Sequence, residues 1–351
     1  MLEILEVSFI ALFIIALLIV IKAADIFVDN VLKVGTALGV SQVLLGITAV
    51  AMGTSLPEYG SALISSLNSA EGMGVGLVIG SNIWNLAGIL GISAVITGYI
   101  KADEKFIKRD GLMAVIVGII LFIVMIAVFI SGADIISKIG SVIMILVFFY
   151  YLRVLIKDQK KEIKDLEYIE EKTYKNKEPI EIDSNTPKLK EVVEKKKKPL
   201  HKKNILYLTV GLIGIIIGCQ LLVYSAEGLA DIFNIPQIIM GLFLLSITTS
   251  FPELAITVTS AMKGLHGMAI GNIIGTAAFN ILIGIGIPAF LVTIPIDPVV
   301  LYFDAPYMIL VYVLAILLVK YNGMKLTRVT GLFLVSLYIL YVILRLFVFT
   351  G

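Results

Sequence analysis

Apolar runs of membrane-crossing length recur from one end of this 351-residue chain to the other, separated by short polar turns and one long charged stretch. A helix needs roughly 17–25 predominantly apolar residues to cross the hydrocarbon of a bilayer. Ten segments meet or approach that length, at about 7–30, 41–68, 73–98, 111–131, 134–157, 204–231, 236–263, 268–294, 305–320 and 327–349. Asp304 followed by Pro306 is a start signal for the ninth. The pattern predicts an all-α polytopic membrane protein with ten transmembrane helices. The first run, MLEILEVSFIALFIIALLIV, carries Glu3 and Glu6 where a secretory signal needs Lys or Arg, and no small-residue cleavage site follows. It reads as the first span.

Composition agrees: 59% of the residues are hydrophobic and 15% charged, a balance foreign to soluble domains. A single cysteine, Cys219, and two histidines, His201 and His266, exclude a disulfide framework and any Cys/His metal cluster. Cys219 lies in an apolar run and is expected to pack. With the N-terminus outside, 26 of the 28 Lys and Arg fall on the inner side, and only Lys138 and Arg345 on the outer. The positive-inside rule then predicts both termini outside the cell membrane. Much of that charge sits in 158–203, which also holds eleven acids and Pro179, Pro187 and Pro199. This segment reads as a solvated cytoplasmic linker, with contact to anionic lipid as the lesser alternative.

The linker separates two related halves. Residues 40–91 align with 235–286 at a constant offset of 195 and without a gap, and 14 of the 52 positions are identical. The identities include Thr54/Thr249, Ser55/Ser250, Pro57/Pro252, Glu58/Glu253 and Asn85/Asn280. Residues 1–157 and 204–351 are thus two five-helix repeats. Five is odd, so the second repeat enters the membrane from the opposite side. Inverted-topology repeats are the plan of alternating-access transporters, whose site lies near the midplane between the repeats.

Glu58 and Glu253 are the only carboxylates away from loops and helix ends. An acid at mid-span costs about 2.5–3.5 kcal/mol on the insertion scale. No mid-span Lys or Arg accompanies them, so either they are protonated or a cation sits between them. The neighbours favour a cation. Thr54 and Glu58, like Thr249 and Glu253, are spaced i, i+4 and share a helix face. Ser55 and Ser250 flank that face, and Ser61 and Ser65 extend a polar stripe. Pro57 and Pro252 kink their helices and deprive the carbonyls of Gly53 and Thr248 of a helical donor. In the next helix of each repeat Ser81 with Asn85, and Thr276 with Asn280, repeat the spacing with neutral oxygens. Glycines at 74, 76, 80, 271 and 275 allow close helix approach. Two carboxylates, hydroxyls, amides and carbonyls, with no imidazole or thiolate, make a hard-cation site. Ca²⁺ fits it best; Mg²⁺ is disfavoured because it resists dehydration.

GTSLPE (53–58) with GSNIWN (80–85), and TTSFPE (248–253) with GTAAFN (275–280), resemble the paired alpha-repeats of the cation/Ca²⁺ antiporter superfamily, most closely its prokaryotic Na⁺/Ca²⁺ exchangers. The resemblance implies electrogenic exchange of Ca²⁺ for Na⁺ through one shared site, with the first and sixth helices sliding over the others as the gate. It implies that Glu58, Glu253, Thr54 and Thr249 bind Ca²⁺. Ser55, Ser81, Ser250 and Thr276, with the carbonyls of Ala51 and Ser246, would supply Na⁺ oxygens. The expected partners are these ions and the bilayer, with no cofactor, nucleic acid or obligate protein partner. Three positions depart from the family: Thr248 replaces Gly, Thr276 replaces Ser, and Asn280 stands where K⁺-dependent members carry Asp. Asn280 offers no third anion, which argues against K⁺ co-transport.

Two other readings compete. Proton-coupled Ca²⁺ exchangers, the alternative within the superfamily, carry a Gly-Asn-x-x-Glu type motif instead. An intramembrane lipid-phosphate hydrolase needs arginine at the phosphate, whereas Arg109, Arg153, Arg328 and Arg345 all fall at helix ends or in loops. The chain is read as a transporter rather than an enzyme.

Overall fold

The computed structural model describes residues 2–37, 53, 55–68, 71–104, 107–176, 201–293 and 296–349, with backbone only at 2–5, 32, 36, 71, 159–160 and 162–176. Eight helical stretches among these are long and apolar enough to cross a membrane, and the bent pair Gln237–Thr249 and Phe251–Met262 makes a ninth. Much of the expected second span, 41–68, lies outside the described residues. Its described part is α2 (Leu56–Leu67).

Two long helices, α1 (Leu2–Ala37) and α6 (Lys202–Phe233), lie against each other along their lengths. Their seam is made of glycine. A Cβ at Gly211 would strike the Phe27 backbone, one at Gly214 would strike Ala23, one at Gly218 Val20, and one at Gly228 the Phe9 ring. Small residues let membrane helices approach backbone to backbone. Partner numbers fall along α1 as they rise along α6, so the two run antiparallel. Their outer faces expose Ile14, Ile15, Leu18, Ile213, Ile216 and Ile217.

The interior is built from α3 (Glu71–Ile83, continued through a π-helical segment Trp84–Ile89 into Leu90–Thr97), α7 (Gln237–Thr249), α8 (Phe251–Met262) and α9 (His266–Gly284). Gly76 and Gly80 of α3 meet the Ile238 and Leu242 carbonyls of α7, and Gly241 returns the contact to the Met73 carbonyl. Gly74 rests on α2 at the Ala62 carbonyl. Nothing described comes within 4 Å of a Cβ at Gly275. After a break at Ile285, α10 (Gly286–Leu291) packs on the helix Asp134–Asn176.

The remaining helices depart in places from the expected boundaries. α4 (Leu112–Ser131) begins earlier, with a π-helical turn Ile107–Gly111. α5 (Asp134–Asn176) continues past 157 into the expected linker, over a Lys- and Glu-rich stretch whose residues favour helix intrinsically; 177–200 lie outside the described residues. α11 (Ala305–Tyr321) is preceded by a π-helical turn Val300–Asp304, so Asp304 does not start the helix but lies within it. α12 (Arg328–Phe347) is capped by Thr327. A short antiparallel ladder also departs from an all-α reading: β1 (Tyr99–Lys101) pairs with β2 (Lys325–Thr327), Ile100 opposite Leu326.

Both π-helical turns carry a buried aspartate. Asp110 accepts the Tyr151 hydroxyl of α5 (2.5 Å) and pairs with Arg109 (2.7 Å), which also reaches Asp158 (3.0 Å). Asp304 accepts the Tyr341 hydroxyl (2.9 Å) and pairs with Arg345 (3.1 Å), both from α12. Arg345, read from the sequence as an outer helix-end charge, is fully buried. The aspartate supplies the counter-charge that makes this tolerable.

Candidate cation-binding site

Ser55 and Ser250 mark the same event in the two motif copies. Each occupies the sparsely allowed bridge region, at φ −87°, ψ 4° and φ −88°, ψ 10°. The cause lies two residues downstream. Pro57 and Pro252 have no N–H to donate, and each stands in the first turn of a fresh helix, α2 or α8. The expected kink is therefore a break, and in the second copy the two pieces meet at 45°. The Thr248 carbonyl, deprived of its helical donor, takes the Ser250 N–H instead.

Glu58 and Glu253 follow in those first turns, each fully buried, where a helix N-terminus favours negative charge. Their bonds cross between the copies. Ser250 Oγ donates to Glu58 Oε1 at 2.9 Å, and Ser55 Oγ donates to Glu253 Oε1 at 3.2 Å. Two carboxylates thus share one compartment. Glu58 Oε2 has no hydrogen-bond partner among the described residues, and no basic side chain acts on Glu58 there.

The hydroxyls of α3, α7 and α9 bond back along their own helices. Thr249 Oγ1 donates to the Leu245 carbonyl (2.8 Å), Ser81 Oγ to Val78 (3.1 Å), Thr276 Oγ1 to Asn272 (2.8 Å) and Ser246 Oγ to Leu242 (2.5 Å). A hydroxyl that sends its proton back along its own helix keeps lone pairs for a cation. Asn85 and Asn280 are buried, and neither amide atom of either has a partner among the described residues. Asn85 lies in the π-helical segment of α3, a distortion that gathers at functional sites. The expected ligands Thr54 and Ala51 lie outside the described residues. Two buried carboxylates and nearby serine hydroxyls are donors of the kind a hard cation takes.

The family model of the sodium/calcium exchanger protein matches residues 8–157 and 203–347. This chain belongs to that family. As a family member it is a multi-pass membrane transporter, not an enzyme. It is 27% identical to the sodium/calcium exchanger MaX1 of Methanosarcina acetivorans, over 95% of this chain and 97% of that one. It is 30% identical to the inner membrane protein YrbG of Escherichia coli, over 88% and 87% respectively. Among solved structures it resembles the sodium-calcium exchanger NCX_Mj soaked with Na⁺ and Sr²⁺, with a TM-score of 0.59 and 27% identity over 97% of this chain and 98% of that one.

Two site-adjacent residues of this family member escaped the sequence reading. Tyr59, beside Glu58, buries its hydroxyl next to Ser55. Its i, i+4 spacing from Ser55 was the available signal, and Leu254 holds its place in the second copy. Asn272 Nδ2 donates to the Glu253 carbonyl (3.3 Å) and to Thr257 Oγ1 (3.1 Å), tying α9 to the carboxylate-bearing turn of α8. The aligned residues in the first copy are Leu77 and Ala62, so the duplication offered no hint of this clamp.

Proposed function

We propose that this protein exchanges Ca²⁺ for Na⁺ across the cell membrane by alternating access at one midplane site. Ten helices form two inverted five-helix repeats, 1–157 and 204–351, with both termini outside and 158–203 cytoplasmic. The observation that carries the reading is the reciprocal pair of serine-to-glutamate bonds. They bring two buried carboxylates into one compartment. A single Ca²⁺ neutralises both, drawing on Thr54, Thr249 and the break-point backbone for further oxygens. The antiparallel course of α1 and α6 supports inversion of the halves, and the names of MaX1 and NCX_Mj support the ion pair. Na⁺ takes the hydroxyl positions, Ser55, Ser81, Ser250 and Thr276, together with the carbonyls of Ala51 and Ser246. Asn85 and Asn280 face the ions or their water. With no carboxylate at 280, K⁺ is not carried.

Reconstituted vesicles test this. Ca²⁺ uptake is measured at clamped voltage under an outward Na⁺ gradient and, separately, under a pH gradient. Uptake driven by Na⁺ is the expected result. Uptake that follows only the pH gradient assigns the site to proton coupling and overturns the Na⁺ reading.

A further inference from the structure

Many buried hydroxyls on these helices bond back to a carbonyl three or four residues earlier. Ser66, Ser93, Ser141, Ser225 and Thr249 all do so, at 2.7–2.9 Å. Ser61 and Ser65 of α2 do not: both are fully buried, neither donates to a carbonyl among the described residues, and the Ser61 hydroxyl lies beside the Cys219 sulfur. The acceptor expected for Ser61 is the Pro57 carbonyl. That carbonyl is instead approached by the Cys219 thiol of α6, at 3.9 Å, and Cys219 packs so tightly on α2 that a Cβ at Gly60 would lie 2.6 Å from its sulfur. Ser61 and Ser65 stand three and seven residues beyond Glu58 on the same helix face, and Glu58 Oε2 lacks a partner among the described residues. These three oxygens form a file about 10 Å long, leading from the glutamate pair toward the end of α2 at Asn68.

We propose that this file is a second, monovalent-cation subsite, a staging position through which Na⁺ reaches or leaves Glu58 from the membrane face where α2 ends. One carboxylate oxygen and two hydroxyls match a single charge. They leave a divalent ion short of both charge and ligands, so the file discriminates between the two substrates. The second copy lacks it, having Ile256 in place of Ser61. This inference rests on the exchange reading above.

The test uses full-length protein in vesicles carrying Ser61→Ala with Ser65→Ala. The half-saturating Na⁺ concentration for Na⁺-driven Ca²⁺ uptake is compared with the half-saturating Ca²⁺ concentration for Ca²⁺/Ca²⁺ self-exchange. The expected result is a rise of about fivefold in the Na⁺ value with a much smaller change in the Ca²⁺ value. Restoring a hydroxyl with Ser61→Thr recovers part of the loss. An unchanged Na⁺ requirement, or equal weakening of both ions, overturns the subsite. Wild-type protein that shows no Na⁺-driven uptake at all defeats the exchange reading instead, a distinct outcome.

Discussion

The two copies of the Thr-Ser-x-Pro-Glu motif break their helices at nearly identical dihedral angles and exchange mirror-image hydrogen bonds, yet they are supported differently. In the second copy Asn272 fastens the turn that carries Glu253, and α9 runs as regular helix through Asn280. In the first copy Asn272 has no counterpart, α3 distorts into a π-helical segment at Asn85, and α2 carries buried hydroxyls beyond Glu58 that donate to no carbonyl among the described residues. Duplication has kept the serine, proline and glutamate of each break and let the surroundings diverge. Charge balance at the centre constrains both copies together. The flanks answer only to their own packing.

The sharpest way to break the comparison is to neutralise each acid in turn. Glu58→Gln and Glu253→Gln are each expected to abolish Ca²⁺ transport while the protein stays folded, because a charge-assisted contact contributes about 1.5–3 kcal/mol and the lost carboxylate also halves the site's charge. Vesicle uptake beside a gel-filtration profile measures both. Normal transport by either variant would mean that the carboxylates do not share an ion.

The buried aspartates offer the next largest contrast. Arg345→Met strips Asp304 of a fully buried counter-ion and is expected to cost about 3–5 kcal/mol of stability. Arg109→Met should cost less, because the Arg109 side chain is 25% exposed where that of Arg345 is fully buried. Thermal unfolding in detergent ranks the two, and equal losses would erase the distinction between the halves.

The smallest expected effect makes the copies more alike. Asn272→Leu, which installs the residue of the first copy, should lower stability by about 1–3 kcal/mol through the unmet Thr257 hydroxyl and weaken Ca²⁺ binding several-fold. Calorimetric titration against wild type reads the affinity. An unaltered affinity would reduce the clamp to packing alone.

The centre of the site was legible because duplication repeats it: two acids in apolar helices, each behind a proline and a serine, form a pattern that chance composition does not produce. What surrounds the centre was not legible. Asp304 and Arg345 look like ordinary helix-end charges until folding brings α11 beside α12, and no spacing rule links residues 41 positions apart. The π-helical segments have no residue signature, since they arise from a shifted hydrogen-bond register rather than from composition. Ser61 and Ser65 were visible as a stripe, but the surroundings of Ser61 depend on a thiol from the other half of the chain. The extension of α5 to Asn176 was masked by its charge, which reads equally well as solvated coil.

At 1.5 Å per residue, α1 and α6 measure about 54 and 48 Å, against a hydrocarbon layer of about 30 Å. So long a pair cannot stand upright within the layer; it leans, or its ends project into the headgroups. Any movement of the pair against the other helices changes how much of it is immersed, and with it the match to the lipid. Acyl-chain length is therefore expected to change how far this pair leans.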